Sequence, residues 1–319
     1  MDKNQFKGYY EKAVGIQNEI RKVVLGKDDI IEKILATALA GGHVLLDDIP
    51  GVGKTTLALA FSAATSMDYR RLQFTPDVLP TDVTGFSVYD KKTDSFVYKP
   101  GAAICNLFLA DEINRTSSKT QSALLEIMEE GKVTVDGITR ALPDPYVVIA
   151  TQNPIGSVGT QMLPDSQLDR FMVCVSMGYP DFDNEVSILK GRQGHNPLED
   201  VVAVATKDDM KAMRNIVKEI YTDEKIYEYI AAIAVETRNN EMFKLGLSPR
   251  GSLALARASR AVAFLHGRNY VIPDDVAFIF RDVAEHRIVL SPKAKIAGLT
   301  AAELLDGVLK AVPVPTVKK

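Results

Sequence analysis

The sequence predicts an α/β protein in which a parallel sheet flanked by helices is followed by a smaller, all-helical domain. In the first half of the chain, short apolar runs alternate with helical segments, the arrangement that builds a parallel sheet. A glycine-rich turn separates one of these runs from a helix. Beyond about residue 206, apolar residues recur mostly at three- and four-residue spacing, which indicates helices packed on one another.

Breaks in the pattern divide the chain into segments. At 319 residues it is long enough for about two domains. A stretch rich in glycine and polar residues near residue 191 predicts a linker. The predicted segments are an amphipathic N-terminal helix (1–24), an α/β core (25–190), a linker (191–205), a helical domain (206–311) and an extended or mobile tail (312–319). Within the core, hairpins are predicted at about 86–100 and about 131–142.

An apolar strand, a glycine-rich turn and a helix follow one another between residues 43 and 61. The turn and the start of the helix read Pro50-Gly51-Val52-Gly53-Lys54-Thr55-Thr56. The glycines let backbone N–H groups converge on phosphate oxygens at a helix N-terminus, which favours anions. Lys54 is placed to bind the β- and γ-phosphates, and Thr55 to coordinate Mg²⁺. The usual pattern has glycine where this chain has Asp48, and the alternative is a Gly-Lys-Thr turn that only opens a helix.

A second motif follows the apolar run at residues 107–110, which predicts a buried parallel strand. Asp111 falls at its carboxyl end, where α/β sheets bind their ligands. We expect Asp111 to hold Mg²⁺, mostly through water, and Glu112 to polarise an attacking water. The alternative is a solvated strand end. Because a dedicated kinase does not need Glu112 in this role, the pair favours hydrolysis.

Three further polar residues are candidates for the same chemistry. Asn153 follows the predicted strand at 146–150 and could order the water near the γ-phosphate, or could simply belong to an Asn-Pro turn. Arg170 ends a short helical stretch before the next strand. Arg250 lies in the first turn of a helix that Ser248 caps and Pro249 starts. The helix dipole disfavours a cation there, which suggests a function, although a surface arginine is the alternative.

In this order, these motifs resemble the AAA+ ATPases and, more narrowly, the MoxR family, from about residue 23 to about residue 290. The segments that carry the resemblance are residues 71–85, 109–115, 119–126, 150–154, 163–171, 248–250 and 267–276. The resemblance implies a P-loop core with a smaller all-α C-terminal lid, ATP and Mg²⁺ as cofactors, and ATP hydrolysis.

The resemblance also implies roles for single residues. Leu25 and Gly26 match the segment near the adenine, followed by Lys27 where the family often has Gln. Asn153 corresponds to sensor 1. Arg250 corresponds to sensor 2, which reaches the γ-phosphate in its own subunit, and Arg170 to an arginine finger that acts on a neighbouring subunit. A residue acting on a neighbour implies a homo-oligomer, expected to be a hexameric ring.

The biological role follows from the resemblance alone. MoxR proteins are thought to be chaperone-like remodellers, often of partners with von Willebrand factor A domains, and the two hairpins are expected to face the pore or the substrate. The alternatives are surface hairpins with local roles, a nucleotide-gated scaffold with slow turnover, and a nucleic-acid or chelatase-type motor.

The composition and the remaining sequence features bear on the partner, the nucleotide and the location of the protein. The net charge of −3 does not predict nucleic acid as a partner, and no guanine-recognition motif argues for GTP. The N-terminus does not read as a signal peptide, and the longest apolar stretch is too short to span a bilayer. The two cysteines, Cys105 and Cys174, lie in apolar context and are expected to be buried free thiols. The four histidines show no metal-ligand spacing. Because free thiols suit a reducing compartment and no signal peptide is predicted, a cytoplasmic location is expected.

Overall fold

The computed structural model describes residues 3–153, 163–191 and 194–316. The strands are, in chain order, β1 (Val44–Asp47), β2 (Tyr69–Gln73), β3 (Gly85–Asp90), β4 (Ser95–Pro100), β5 (Leu107–Asp111), β6 (Lys132–Val135), β7 (Ile138–Ala141), β8 (Val147–Gln152), β9 (Val173–Val175), β10 (Phe243–Leu245) and β11 (Val289–Leu290). The α-helices are α1 (Lys3–Arg21), α2 (Asp28–Leu39), α3 (Lys54–Thr65), α4 (Pro80–Thr84), α5 (Ser118–Glu130), α6 (Asp165–Leu168), α7 (Phe182–Gly191), α8 (Lys207–Lys218), α9 (Glu224–Asn239), α10 (Pro249–Leu265), α11 (Pro273–Ala284), α12 (Pro292–Ile296) and α13 (Ala301–Ala311).

Within the described residues, a parallel sheet has the strand order β2-β5-β8-β1-β9. Strand β5 is buried along its whole length, because strands flank it on both sides and helices cover both faces. Ala110 of β5 pairs with Ala150 of β8, which in turn pairs with Leu45 of β1. The carboxyl ends of these three strands therefore meet at one edge of the sheet, which is where a doubly wound sheet binds its ligands.

The two faces of the sheet support two hydrophobic cores, because successive residues of a strand point to opposite faces. Leu107 and Leu109 belong to the core that also includes residues of α1, α2, α3 and the C-terminal helices. Phe108 and Ala110 belong to the other core, which α5 covers. Since the first core continues into the helical region, the sheet and the C-terminal helices share apolar packing.

Two short antiparallel hairpins project from the core. Strands β3 and β4 form the first, and β6 and β7 the second. The second turns at Asp136 and Gly137, which have φ of 53° and 73°, the left-handed values that a tight two-residue hairpin turn requires. The Arg140 guanidinium lies 4.0 Å from the centroid of the Tyr98 ring, so the two hairpins contact each other.

The described part of the C-terminal region is mainly helical, as predicted, and also contains the short β10–β11 pair. Helix α10 contacts α2, α9 and α11, and it begins at Pro249, where the Ser248 hydroxyl accepts a hydrogen bond from the Gly251 N–H at 3.0 Å. The predicted cap is thus confirmed. In the predicted tail, residues 313–316 form no helix or strand, Val312 is buried, and the Lys225 Nζ donates to the Thr316 carbonyl at 3.2 Å.

Candidate nucleotide site

The predicted phosphate loop joins the end of β1 to the start of α3. Gly51 and Gly53 have φ of 88° and 94°, a conformation that residues with a Cβ rarely adopt. A Cβ placed on Gly51 would meet no atom within 4 Å, so the turn leaves room beside its backbone. The remaining predicted loop residues are placed as follows: Pro50 is exposed, and Val52, Thr55 and Thr56 are half-buried.

Lys54 lies in the first turn of α3 and is buried, at 8% exposure. Its Nζ donates to the Asp48 carbonyl at 2.8 Å. Burial lowers the pKa of Lys54, whereas the carboxylates of Asp48, Asp111 and Glu112 oppose that shift. One ammonium group therefore faces several carboxylates, a charge pattern that suits a polyphosphate together with a divalent cation.

Asp48, the residue that departs from the usual glycine, is also buried. Its carboxylate accepts hydrogen bonds from the Ser176 hydroxyl at 3.2 Å and from the backbone N–H groups of Met177 and Gly178. Asp48 thus ties the start of the phosphate loop to the segment that follows β9. Sequence reasoning noted the departure but could not supply this contact, because it joins residues more than a hundred positions apart.

Asp111 ends strand β5 at the same edge of the sheet and is buried. Its Oδ1 accepts a hydrogen bond from the Thr151 hydroxyl at 2.6 Å, and its Oδ2 accepts one from the Arg71 Nη2 at 2.6 Å. Neither partner was predicted as a site residue. Both partners lie on the strands that flank β5, so the strand order, rather than any sequence motif, identifies them.

Glu112 follows Asp111 in a left-handed conformation, with φ of 58°, which is strained for a residue other than glycine. Its carboxylate accepts hydrogen bonds from the Asn153 Nδ2 at 2.9 Å and from the Arg115 Nη1 at 2.6 Å. Burial raises the pKa of Glu112, but these hydrogen bonds outweigh it and lower the pKa from its ordinary value. The structure therefore brings Glu112 and Asn153 together and holds the carboxylate ionised.

The two predicted arginines share one carboxylate. Arg170, just after α6, and Arg250, in the first turn of α10, both pair with Glu129 of α5. The Arg170 Nε lies 3.3 Å from the Glu129 Oε2, and the Arg250 Nη1 lies 4.0 Å from Asp169. Among the described residues, the ion pairs of Arg250 are thus with Glu129 and Asp169.

Asp169, next to Arg170, is held by a residue that sequence reasoning missed. Arg287 is buried, and its Nε donates to the Asp169 Oδ1 at 2.7 Å. Its Nη1 donates to the Met172 carbonyl at 3.0 Å and its Nη2 to the Phe171 carbonyl. Arg287 therefore fixes the backbone that carries Arg170. No local sequence pattern marks Arg287, because its partners Asp169 and Met172 lie more than a hundred positions away.

The predicted adenine segment precedes α2. A Cβ on Gly26 would lie 2.2 Å from the Asn184 Nδ2, so this segment packs closely on α7. The Lys27 Nζ donates to the Tyr179 carbonyl at 2.9 Å. Leu25 is half-buried beside them. Residues 25–27 thus adjoin the same stretch of chain, after β9, that Asp48 contacts.

Thr55 and Asp111 are the predicted metal ligands. Within the described ranges, no group of three or more His, Cys, Asp and Glu side chains is arranged to hold a metal ion. Mg²⁺ does not need one, since it binds through one or two protein oxygens together with phosphates and water. Hard oxygens from Thr55 and Asp111, beside a buried lysine, therefore fit Mg²⁺ in a nucleotide complex.

The two cysteines lie outside the candidate nucleotide site described above. Cys105 is buried, Cys174 is half-buried, and both are free thiols. Burial raises the pKa of Cys105 to about 12, so its thiolate is not available at neutral pH.

Comparisons with known proteins agree with this fold. Residues 43–173 match the model of the ATPase family associated with various cellular activities, and residues 235–308 match an AAA lid domain. The chain is 49% identical over 296 residues to YeaC of Bacillus subtilis, covering 93% of this chain and 92% of YeaC. It is 36% identical over 308 residues to the chaperone MoxR1 of Mycobacterium tuberculosis, covering 94% and 81% of the two chains.

A crystal structure of a candidate ATPase from Cytophaga hutchinsonii superposes with a TM-score of 0.90, at 32% identity, over 98% of both chains. The fold and the phosphate loop thus define an AAA+ module, an α/β nucleotide-binding core with a helical lid. Within that class, the chain belongs to the MoxR family of AAA+ ATPases. No helix in the described part of the chain has the length and apolarity to cross a membrane.

Proposed function

We propose that this protein hydrolyses ATP with Mg²⁺, in a ring of identical subunits, and uses the turnover to remodel partner proteins. The observation that carries the catalytic part is the contact between Glu112 and Asn153. It lies beside Asp111, at the sheet edge from which the phosphate loop leaves β1. An ionised carboxylate and an amide directed to one place can orient a water for attack on a phosphate.

Each residue of the site has one role in this proposal. The backbone of residues 50–56 and the Lys54 ammonium bind the phosphates, and Leu25 and Gly26 lie against the adenine. Thr55 and Asp111 hold Mg²⁺, which when bound neutralises the phosphate charge. Glu112 accepts a hydrogen bond from the attacking water and takes up its proton. Asn153 orients Glu112 and the water.

Two substitutions test this assignment. Lys54→Ala removes the cation that faces the phosphates, so nucleotide binding should weaken. Glu112→Gln keeps the shape of the side chain but removes the base, so binding should persist while the turnover rate falls by about 10²- to 10⁴-fold. Binding is measured by calorimetry and turnover by phosphate release, with Glu241→Gln, an exposed glutamate paired with Lys293, as the control. Wild-type turnover in Glu112→Gln would exclude Glu112 as the base.

The ring is proposed from the two arginines. Arg170 and Arg250 are both partly exposed and lie on Glu129, outside the phosphate loop of their own chain. We propose that Arg170 acts on the nucleotide of the next subunit, and that Arg250, which shares its carboxylate partner, acts there too instead of in its own subunit. Light scattering should then show a nucleotide-dependent oligomer whose specific ATPase activity rises with protein concentration. A monomer with a concentration-independent rate would contradict the ring.

The remodelling role rests on the relatives, since one of them, MoxR1, is named a chaperone. We propose protein substrates, with von Willebrand factor A domain proteins as the first to test. Hydrogen exchange of such a partner should increase with ATP and wild-type protein, but not with Glu112→Gln. Equal exchange with both proteins would instead favour a nucleotide-gated scaffold that binds without remodelling.

A further inference from the structure

We propose that Asp48 and Lys27 act as positioning residues that fasten residues 176–179, here called the strap, beside the nucleotide site and thereby set the affinity for the base of the nucleotide. The inference rests on the proposed function, because it requires the phosphate loop to bind a nucleoside triphosphate. It assigns a purpose to the two positions at which the chain departs from the usual motif residues.

The first fastener is the Asp48 carboxylate. It is 5% exposed and accepts hydrogen bonds from three donors of the strap: the Ser176 hydroxyl, the Met177 N–H and the Gly178 N–H. Hydrogen bonds from backbone N–H groups to a buried carboxylate are stronger than those between neutral groups. A glycine at position 48 could make none of them, so in this chain the strap is held by a side chain of the phosphate loop itself.

The strap also packs directly on the loop. Met177 is buried, and its Cε methyl lies 4.0 Å from the position that a Cβ on Gly53 would occupy. The same Asp48 offers its backbone carbonyl to the Lys54 ammonium at 2.8 Å. One residue thus contacts both the lysine proposed to bind the phosphates and the strap.

The second fastener acts at the far end of the strap. The Lys27 Nζ donates to the Tyr179 carbonyl at 2.9 Å. Lys27 directly follows Leu25 and Gly26, the residues proposed to lie against the adenine. The strap therefore runs from the phosphate loop to the base side of the site and is fastened at both ends, and the Tyr179 side chain at its far end is 76% exposed. In this position the strap would contact the base of the nucleotide, whereas the phosphate loop would contact the phosphates.

The distinction between base and phosphates gives the experiment. A non-hydrolysable ATP analogue and inorganic tripolyphosphate, each with Mg²⁺, are titrated into the full-length protein by calorimetry. Asp48→Ala should weaken binding of the analogue about tenfold, because the buried hydrogen bonds to the strap are lost. Binding of tripolyphosphate, which has no base, should change by less than about twofold.

Lys27 supplies a matched pair that does not disturb the core. Lys27→Met should weaken the analogue about threefold and leave tripolyphosphate unchanged, whereas Lys27→Arg, which keeps a cationic donor, should restore the affinity. If Asp48→Ala does not fold, the two Lys27 variants alone test whether the strap sets the affinity for the base.

Three outcomes would overturn the proposal. An unchanged analogue affinity in Asp48→Ala and Lys27→Met would show that the strap does not serve the base. An equal loss of analogue and tripolyphosphate would show that Asp48 only shapes the phosphate loop. Wild-type protein that binds neither probe would refute the proposed function, and with it this inference, whereas in the first two cases the proposed function stands.

Discussion

The charge of Glu112 depends on hydrogen bonds from its neighbours. The Arg115 guanidinium and the Asn153 amide both donate to its carboxylate, and together they lower its pKa although burial acts in the opposite direction. A carboxylate held in this way is ionised at neutral pH. It accepts a hydrogen bond from water readily, but it is a weak base until one of these donors moves away.

We therefore predict that Arg115→Met shifts the pH profile of turnover. Without the guanidinium, burial acts against fewer opposing hydrogen bonds, so the pKa of Glu112 rises. Because the ionised form is the active one, the acidic limb of kcat against pH should move to higher pH. Steady-state rates from about pH 5 to about pH 8 measure the shift. Lys132→Met, which removes an exposed partner of Glu130, is the control, and an unmoved limb in Arg115→Met would contradict the argument.

At the scale of residues, several candidate site residues could be predicted from the sequence, but their hydrogen-bond partners could not. Asp111, Glu112 and Asn153 were each recognised because they follow apolar runs, and the structure places them at one sheet edge. Arg71 and Thr151 could not be recognised in the same way. Their hydrogen bonds to Asp111 require β2 and β8 to flank β5, and strand order is not encoded in any local pattern.

At the scale of elements, His43 joins two strands and a helix. It precedes β1; its Nδ1 accepts the Val148 N–H of β8 at 3.0 Å, so its Nε2 carries the proton that is donated to the Met128 carbonyl of α5. A second proton on the ring would break the contact with β8. Burial lowers the pKa of His43 from 6.5 to about 4, and the neutral ring is thus part of the fold.

The stability of the protein should therefore fall on acidification through this histidine. Below pH 6.5 the unfolded chain binds a proton at His43 that the folded chain refuses until about pH 4. Stability is unaffected above 6.5 and is lost as the pH falls, at about 1.4 kcal/mol per pH unit. Between about pH 7.5 and about pH 5, this amounts to about 2 kcal/mol of unfolding free energy.

Urea unfolding at the two pH values measures this loss. His43→Gln should remove that part of the pH dependence, whatever its effect on the stability at neutral pH. His195→Gln is the control, since His195 is exposed and its hydrogen bond to Asp200 raises its pKa. Identical pH dependence in His43→Gln and wild type would exclude His43 as the cause.

The junction between the α/β core and the helical lid depends on Arg287. This buried side chain contacts Asp169 and the carbonyls of Phe171 and Met172. Arg287→Met would leave the Asp169 carboxylate and these carbonyls without their donor, which should destabilise the protein by about 3–5 kcal/mol. Thermal and urea unfolding measure the loss. Arg281→Met, whose exposed pair with Glu285 contributes little, should cost less than about 1 kcal/mol, and equal losses in the two variants would contradict this role.

Helices and turns could be predicted from the sequence where a local signal, such as a helix cap or a turn dipeptide, marks them. Helix α10 starts at its predicted cap and proline, and the second hairpin turns at its predicted Asp136-Gly137 pair. The N-terminal helix ends at Arg21, earlier than the predicted boundary at 24. The burial of Val312 could not be predicted from the sequence, because it depends on a surface that distant helices create.

At the scale of the whole molecule, the position of the two arginines bears on assembly. Arg170 comes from the core and Arg250 from the lid, yet both lie on Glu129 of α5. The family resemblance implies that Arg170 acts on the neighbouring subunit and Arg250 on its own. Two guanidinium groups that share a carboxylate occupy one surface, so a neighbour that receives the first is in position to receive the second.

The last prediction separates the two possible roles of Arg250 by mixing inactive subunits. Arg170→Ala and Glu112→Gln proteins are each expected to hydrolyse ATP poorly, but in a mixed ring a Glu112→Gln subunit can offer its intact Arg170 to a neighbour that retains Glu112. Phosphate release should therefore recover in part, and this recovery also shows that mixed rings form. If Arg250 acts on the neighbouring subunit, Arg250→Ala mixed with Glu112→Gln should recover in the same way. If Arg250 acts within its own subunit, every site in that second mixture lacks a required residue, and no activity should return even though the first mixture recovers.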